Sequence, residues 1–189
     1  MQLVFNVKTT VALAVVAAGS YYCYRTVFAD VGSRDIPTLI RAHRRADPAR
    51  QLLLKRRILA IYEGSRDYPT LVNALDSPSA TTRALAVEVL TEKGERRAAP
   101  KLLVMLEDPR QSDPVKESLA KAVAALGLRE AIPRLVELTD VAESDGVRAA
   151  AHNALERLTG AGGQVKLSKA ARQHWTLWLR NNTPSALNR

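Results

Sequence analysis

The chain has little of what disulfide-stapled domains and metalloenzymes are built from. One cysteine in 189 residues excludes an internal disulfide, and with three histidines it leaves little from which to assemble a zinc site. Aromatic residues make up only 5%, which disfavours a β-sandwich. What is abundant is alanine and leucine, with 47% of residues hydrophobic and 25% charged, so the chain can build a core and favours helices. His43, His152 and His174 fall in three different helical segments with no pair at ligand spacing. No glycine-rich phosphate loop opens a helix, since Gly160–Gly163 follows one and lacks a suitably placed lysine. No serine or cysteine nucleophile has a visible base beside it. The expectation is a protein without catalytic residues, cofactor or metal.

The excess of positive charge, +9 in all, is confined to the ends. Residues 31–67 carry nine Lys/Arg against four Asp/Glu, and residues 161–189 carry five bases and no acid. The stretch between them is neutral to slightly acidic. A protein that tracks nucleic-acid phosphates spreads cations along a whole face, so nucleic acid is an unfavoured partner, kept as the alternative of a basic nucleic-acid-binding solenoid. The first cluster, Arg41, Arg44, Arg45, Arg50, Lys55, Arg56 and Arg57, is a candidate surface for anionic lipid or an acidic partner.

Thr9 to Tyr24 is free of charge, between Lys8 and Arg25. As a helix it measures about 24 Å, slightly short of a hydrocarbon core of ~30 Å. Tyr21, Tyr22 and Tyr24 fall where an interfacial aromatic belt lies, and Lys8 can snorkel. Residues 1–30 are therefore read as a transmembrane anchor or a signal segment. The cleavage-like sites Ala17-Ala-Gly19 and Val27-Phe-Ala29 are poorly placed, which favours an uncleaved anchor. The expected location is a bacterial inner membrane, crossed once, with the domain beyond the span on the periplasmic side; the basic cluster at 41–57 leans towards the cytoplasmic orientation.

Internal periodicity dominates the rest. Pro37, Pro69, Pro100 and Pro133 recur at 32, 31 and 33 residues, each followed by apolar pairs at helical spacing, and proline in a first turn marks a helix start. Asp76, Asp108 and Asp140 close three of these helices. Second helices are capped by Asp47, Ser79, Asp113 and Asp145 and closed by Gly64, Gly94, Gly127 and Gly160 as left-handed C-caps. Their apolar faces include Leu53, Ile58 and Ile61, then Leu85, Val89 and Leu90, then Leu119, Val123 and Leu126, then Ala150, Ala154, Leu155 and Leu158.

With Ala131–Asp140 as a first helix and Gly146–Gly160 as a second, the chain resembles the HEAT-repeat family in its short bacterial form, the phycobilisome-lyase HEAT-like repeat. Pro100–Asp108 and Val115–Ala120 carry the likeness through the middle units. The resemblance implies an all-α fold, an α-solenoid of about four antiparallel helix pairs over 31–160. It also implies a structural Asp–Arg ladder between units through Arg83, Lys116 and Arg148. The family includes lyases of bilin-bearing clients, so a lyase-type accessory enzyme is a further alternative.

Residues 161–182 read as a capping helix, with Ser168 as N-cap and Ala171, Trp175, Trp178 and Leu179 on one face. The two tryptophans either cover the open end of the last repeat or form an aromatic hot spot for a partner. Residues 183–189 are expected to fray. The function this sums to is a non-enzymatic, membrane-anchored scaffold or accessory subunit that binds protein partners in a membrane or envelope complex.

Overall fold

The computed structural model describes residues 35–140, 143–161 and 171–182. The expected anchor at 1–30, the cap Ser168 and the tail 183–189 lie outside the described residues. Among the described residues no helix is long and apolar enough to cross a membrane. The chain divides into two compact units, Met1–Asp67 and Tyr68–Arg189.

In the first unit, α1 (Ile36–His43) and α2 (Pro48–Ser65) pack against each other. Asp35 and Asp47 cap them, accepting hydrogen bonds from the backbone N–H groups of Thr38 and Arg50, both at 3.0 Å. Pro37 and Pro48 sit where a missing N–H leaves no bond unmade. The buried face of α2 is Leu54, Ile58 and Tyr62, one residue out of phase with the expected Leu53 and Ile61. The phase has a physical reason: a face through Leu53 turns Arg57 inward four residues on, whereas a face through Leu54 brings Ile58. Leu53 stands 48% exposed. The left-handed C-cap of α2 is Arg66, at φ 48°, and Gly64 is still helical.

The second unit is a stack of helix pairs: α3 (Tyr68–Ala74) with α4 (Ala80–Glu92), α5 (Ala99–Glu107) with α6 (Asp113–Leu126), and α7 (Ile132–Glu137) with α8 (Asp145–Thr159). Short 3-10 turns, Arg96–Ala98 and Arg129–Ala131, lead into α5 and α7. The second helices form a continuous layer, with α6 packed against α4 on one side and α8 on the other. A last helix, α9 (Ala171–Asn182), packs on α7. Gly94, Gly127 and Gly160 take the left-handed conformation, at φ 65°, 71° and 75°.

Two of the expected caps shift by one residue. The N-caps of α6 and α8 are Ser112 and Ser144, and Asp113 and Asp145 occupy the first helical position instead. There their carboxylates still face the positive end of the helix dipole, while the serine before each takes the extended cap conformation.

Polar side chains tie each pair to the next, though not through the expected ladder alone. From the first turn of α5, Lys101 donates to the Val72 carbonyl at 3.3 Å and pairs with Asp76. From α7, Arg134 donates to the Leu106 carbonyl at 3.1 Å, and from α9 Arg172 pairs with Asp140. Each cation settles at the C-terminal end of the preceding first helix, the negative end of its dipole, on a carbonyl, a carboxylate or both. Helix α9 thus stands in the place of a first helix. The second series runs through the expected cations, but its partners lie in the turn of the next unit. Arg83 donates to Gln111 at 3.1 Å, and Lys116 to Glu143 at 2.8 and 3.0 Å. Arg148 pairs within its own helix, with Asp145.

Candidate functional site

The sequence singled out seven cations at 41–57; the structure gathers four of them. Arg41 lies in the last turn of α1, Arg44 caps it, Arg45 comes next in the turn, and Arg50 belongs to the first turn of α2. With Thr38 and two alanines these line an open depression of about 540 Å³. Lys55, Arg56 and Arg57 lie farther along α2 and do not line it. Arg41 and Arg44 sit well at a helix C-terminus, but four guanidinium groups on one hollow repel each other. No carboxylate is among the described residues lining it. Close by, Asp47 accepts from the Arg50 N–H, and Asp35 accepts from the Thr38 hydroxyl at 2.6 Å. Arg41 in turn donates to Thr38 Oγ1 at 3.1 Å, which fixes one wall.

A second surface runs along the stack, and sequence reading missed it. Counted from the N-caps Ser79, Ser112 and Ser144, the residues Glu88, Lys121 and Asn153 share one register, and Glu92, Ala125 and Arg157 share the next turn. Glu88 is half-exposed and the other five are exposed. Because α4, α6 and α8 lie side by side, these positions form a continuous row on the solvent side of the second-helix layer. Its character changes from acidic at α4 to basic at α8. The signal was in the sequence, but only cap-to-cap alignment exposes it.

The two tryptophans divide. Trp175 is fully buried and presents no surface to a partner. Its indole N–H donates to His152 Nδ1 at 3.0 Å. His152 stands in the register of Val87 and Ala120, so this position of the last second helix is specialised for the indole. An accepting Nδ1 places the imidazole proton on Nε2, which lies 3.6 Å from Glu156. Trp178 packs edge-on at 6.0 Å between ring centres and remains half-exposed. The pair covers the end of the last repeat, with Trp178 alone keeping exposed surface.

Among the described residues, no group of three or more His, Cys, Asp or Glu could hold a metal ion. Cys23 lies outside them. The carboxylates of the stack are largely engaged between and within units. One has a displaced pKa: the Arg110 N–H, then its guanidinium, hold the Asp108 carboxyl below its ordinary value, with Arg83 adding a weaker attraction.

Residues 68–156 match a family model described as HEAT repeats. No curated protein matches the chain. The matched segment begins with α3 and ends inside α8, spanning the three stacked pairs and leaving out α1, α2 and α9. From Tyr68 to Glu156 the chain is HEAT-like in sequence as well as in architecture.

Proposed function

We propose that the protein is a membrane-anchored interaction scaffold without catalytic activity, serving as an accessory subunit of a bacterial envelope complex. Its repeats are of the short, phycobilisome-lyase-like kind. The observation that carries the reading is the exposed row over α4, α6 and α8, presented on a layer whose apolar side chains are buried in the stack. HEAT repeats stack into extended surfaces of this kind, which suit a protein or peptide partner. The uncharged stretch Thr9–Tyr24 supplies the anchor, and the stack faces the periplasm. An anchor raises the concentration of the scaffold near partners in the same membrane.

Two experiments test this. Photo-crosslinking side chains at Lys121 and Arg157, in the full chain in its own membrane, should give discrete adducts absent when the same group is placed at the exposed Pro133 on α7. Equal labelling at all three sites removes the row as a partner surface. A C-terminal reporter active only outside the inner membrane should be active, on a chain of unprocessed size. Activity of an inside-only reporter overturns the orientation, and a shortened chain overturns the anchor.

A further inference from the structure

We propose that the outward face of α2 lies on a membrane surface containing anionic lipid, with Leu52 and Leu53 set into its interfacial region. This deepens the membrane reading above and takes from it only the tether. A surface helix turns one apolar stripe inward and polar side chains to solvent. Helix α2 departs from that pattern. Its inner face is Leu54, Ile58 and Tyr62, yet its outer face is largely apolar too. At 3.6 residues per turn Ala49, Leu52, Leu53, Arg56 and Ala60 fall on one arc, and all of them are exposed. Leu52 and Leu53 are 50% and 48% exposed. The other large apolar side chains left open among the described residues, Val104 and Leu177, lie apart on α5 and α9. A lone exposed leucine needs no explanation, but an adjoining pair on an arc with two alanines does.

Charge selects the occupant. Helix α2 carries Arg50, Lys55, Arg56 and Arg57 against a single carboxylate, Glu63, in its last turn. Arg56 stands on the arc, and half-exposed Lys55 and Arg57 border it on opposite sides. Exposed Arg44 and Arg45 lie in the turn that leads into the same helix. An apolar strip bordered by long cationic side chains fits a lipid interface. Leucine reaches the acyl boundary, while lysine and arginine run their stems along it and keep their charged ends among the phosphates. A second copy of this face presents charge of the same sign and is repelled. The uncharged stretch ending at Tyr24 is joined to Ile36 by the eleven residues Arg25–Asp35, a reach of at most about 40 Å, so an anchored chain keeps the first unit near the surface.

For the test, the full chain in a Cys23→Ser background carries a polarity-sensitive fluorophore on Ala60→Cys, with Thr81→Cys on α4 as the control. It is reconstituted in phosphatidylcholine vesicles with or without phosphatidylglycerol. Acyl chains brominated near the headgroup quench only a label that reaches them. The expected result is quenching at position 60, absent at 81, that grows with phosphatidylglycerol and weakens at high salt. Arg56→Gln should lower the docked-to-free ratio roughly fivefold. Leu52→Asn combined with Leu53→Asn, both at exposed positions, should abolish the quenching at 60. Equal quenching at 60 and 81, or no gain from phosphatidylglycerol, overturns the proposal. A label at 60 that is shielded from water but untouched by the brominated lipid also overturns it, because protein then covers the face. Flotation with the vesicles at high salt reads the tether separately. A chain that floats without quenching at 60 keeps its anchor and loses this proposal. Quenching at low salt in a chain that does not float at high salt upholds the surface contact and removes the anchor.

Discussion

Arg66 is the one non-glycine residue with a left-handed backbone among the described residues, at φ 48°. The conformation brings Cβ against the carbonyl, a cost of roughly 1–2 kcal/mol that glycine avoids, offset in part by glycine's greater freedom when unfolded. Arg66→Gly should therefore stabilise the first unit by about 0.5–1 kcal/mol, read as a shift in denaturant midpoint without a change in slope. At the other end of the chain, His152→Leu keeps the volume but leaves the Trp175 N–H buried without its acceptor, at about 1–3 kcal/mol. Both tryptophans are in α9, so intrinsic fluorescence reports this loss directly. Asp108 gives a pH dependence of defined sign. Its carboxyl is more acidic in the folded chain, so its contribution is full at neutral pH and is lost as pH falls through the folded pKa. Asp108→Asn should accordingly flatten the acid limb of the stability profile, and an unchanged limb refutes that assignment.

At the scale of the element, the repeat was legible because proline, serine, aspartate and glycine do local work. Pro69, Pro100 and Pro133 do open α3, α5 and α7, and Gly94, Gly127 and Gly160 do close the second helices. Where local chemistry offers two neighbouring solutions, sequence reading slipped. Serine and aspartate are both good N-caps, so Ser112-Asp113 and Ser144-Asp145 could not be ordered without backbone angles. The partners of Arg83 and Lys116 lie 28 and 27 residues away, and no local rule favours Gln111 or Glu143 over the turn aspartates. Of the candidate sites, the cluster at 41–57 was visible as charge, but not its split into a hollow and an outlying group. That split depends on the α1–α2 turn. The Lys116–Glu143 link is itself testable. Both side chains are largely shielded, so Lys116→Met should cost about 1–3 kcal/mol by stranding Glu143. A double cycle with Glu143→Gln should recover a coupling of roughly 0.5–3 kcal/mol, and additive single effects exclude the link.

Across the whole molecule, the second unit is held by contacts between adjacent pairs, apolar along α4, α6 and α8 and polar at the ends of the first helices. Leu119 lies fully buried on the central α6. Leu119→Ala should cost about 2–5 kcal/mol, with amide exchange accelerating in both α4 and α8. A response confined to α6 contradicts the coupling. The polar joints have a further consequence. Lys101, Arg134 and Arg172 each set a cation at the end of the preceding first helix, on the Val72 carbonyl and Asp76, on the Leu106 carbonyl and on Asp140 respectively, and α9 makes this joint although no second helix follows it among the described residues. A joint indifferent to the element on its far side sets no fixed number of units. The stack resembles a row of similar couplings with a buffer at the end: one more pair inserted ahead of α7 meets a comparable socket on both sides, and one pair removed brings compatible halves together. Insertion or removal of one whole pair ahead of α7 should therefore leave a folded stack, with the exposed row lengthened or shortened by one step.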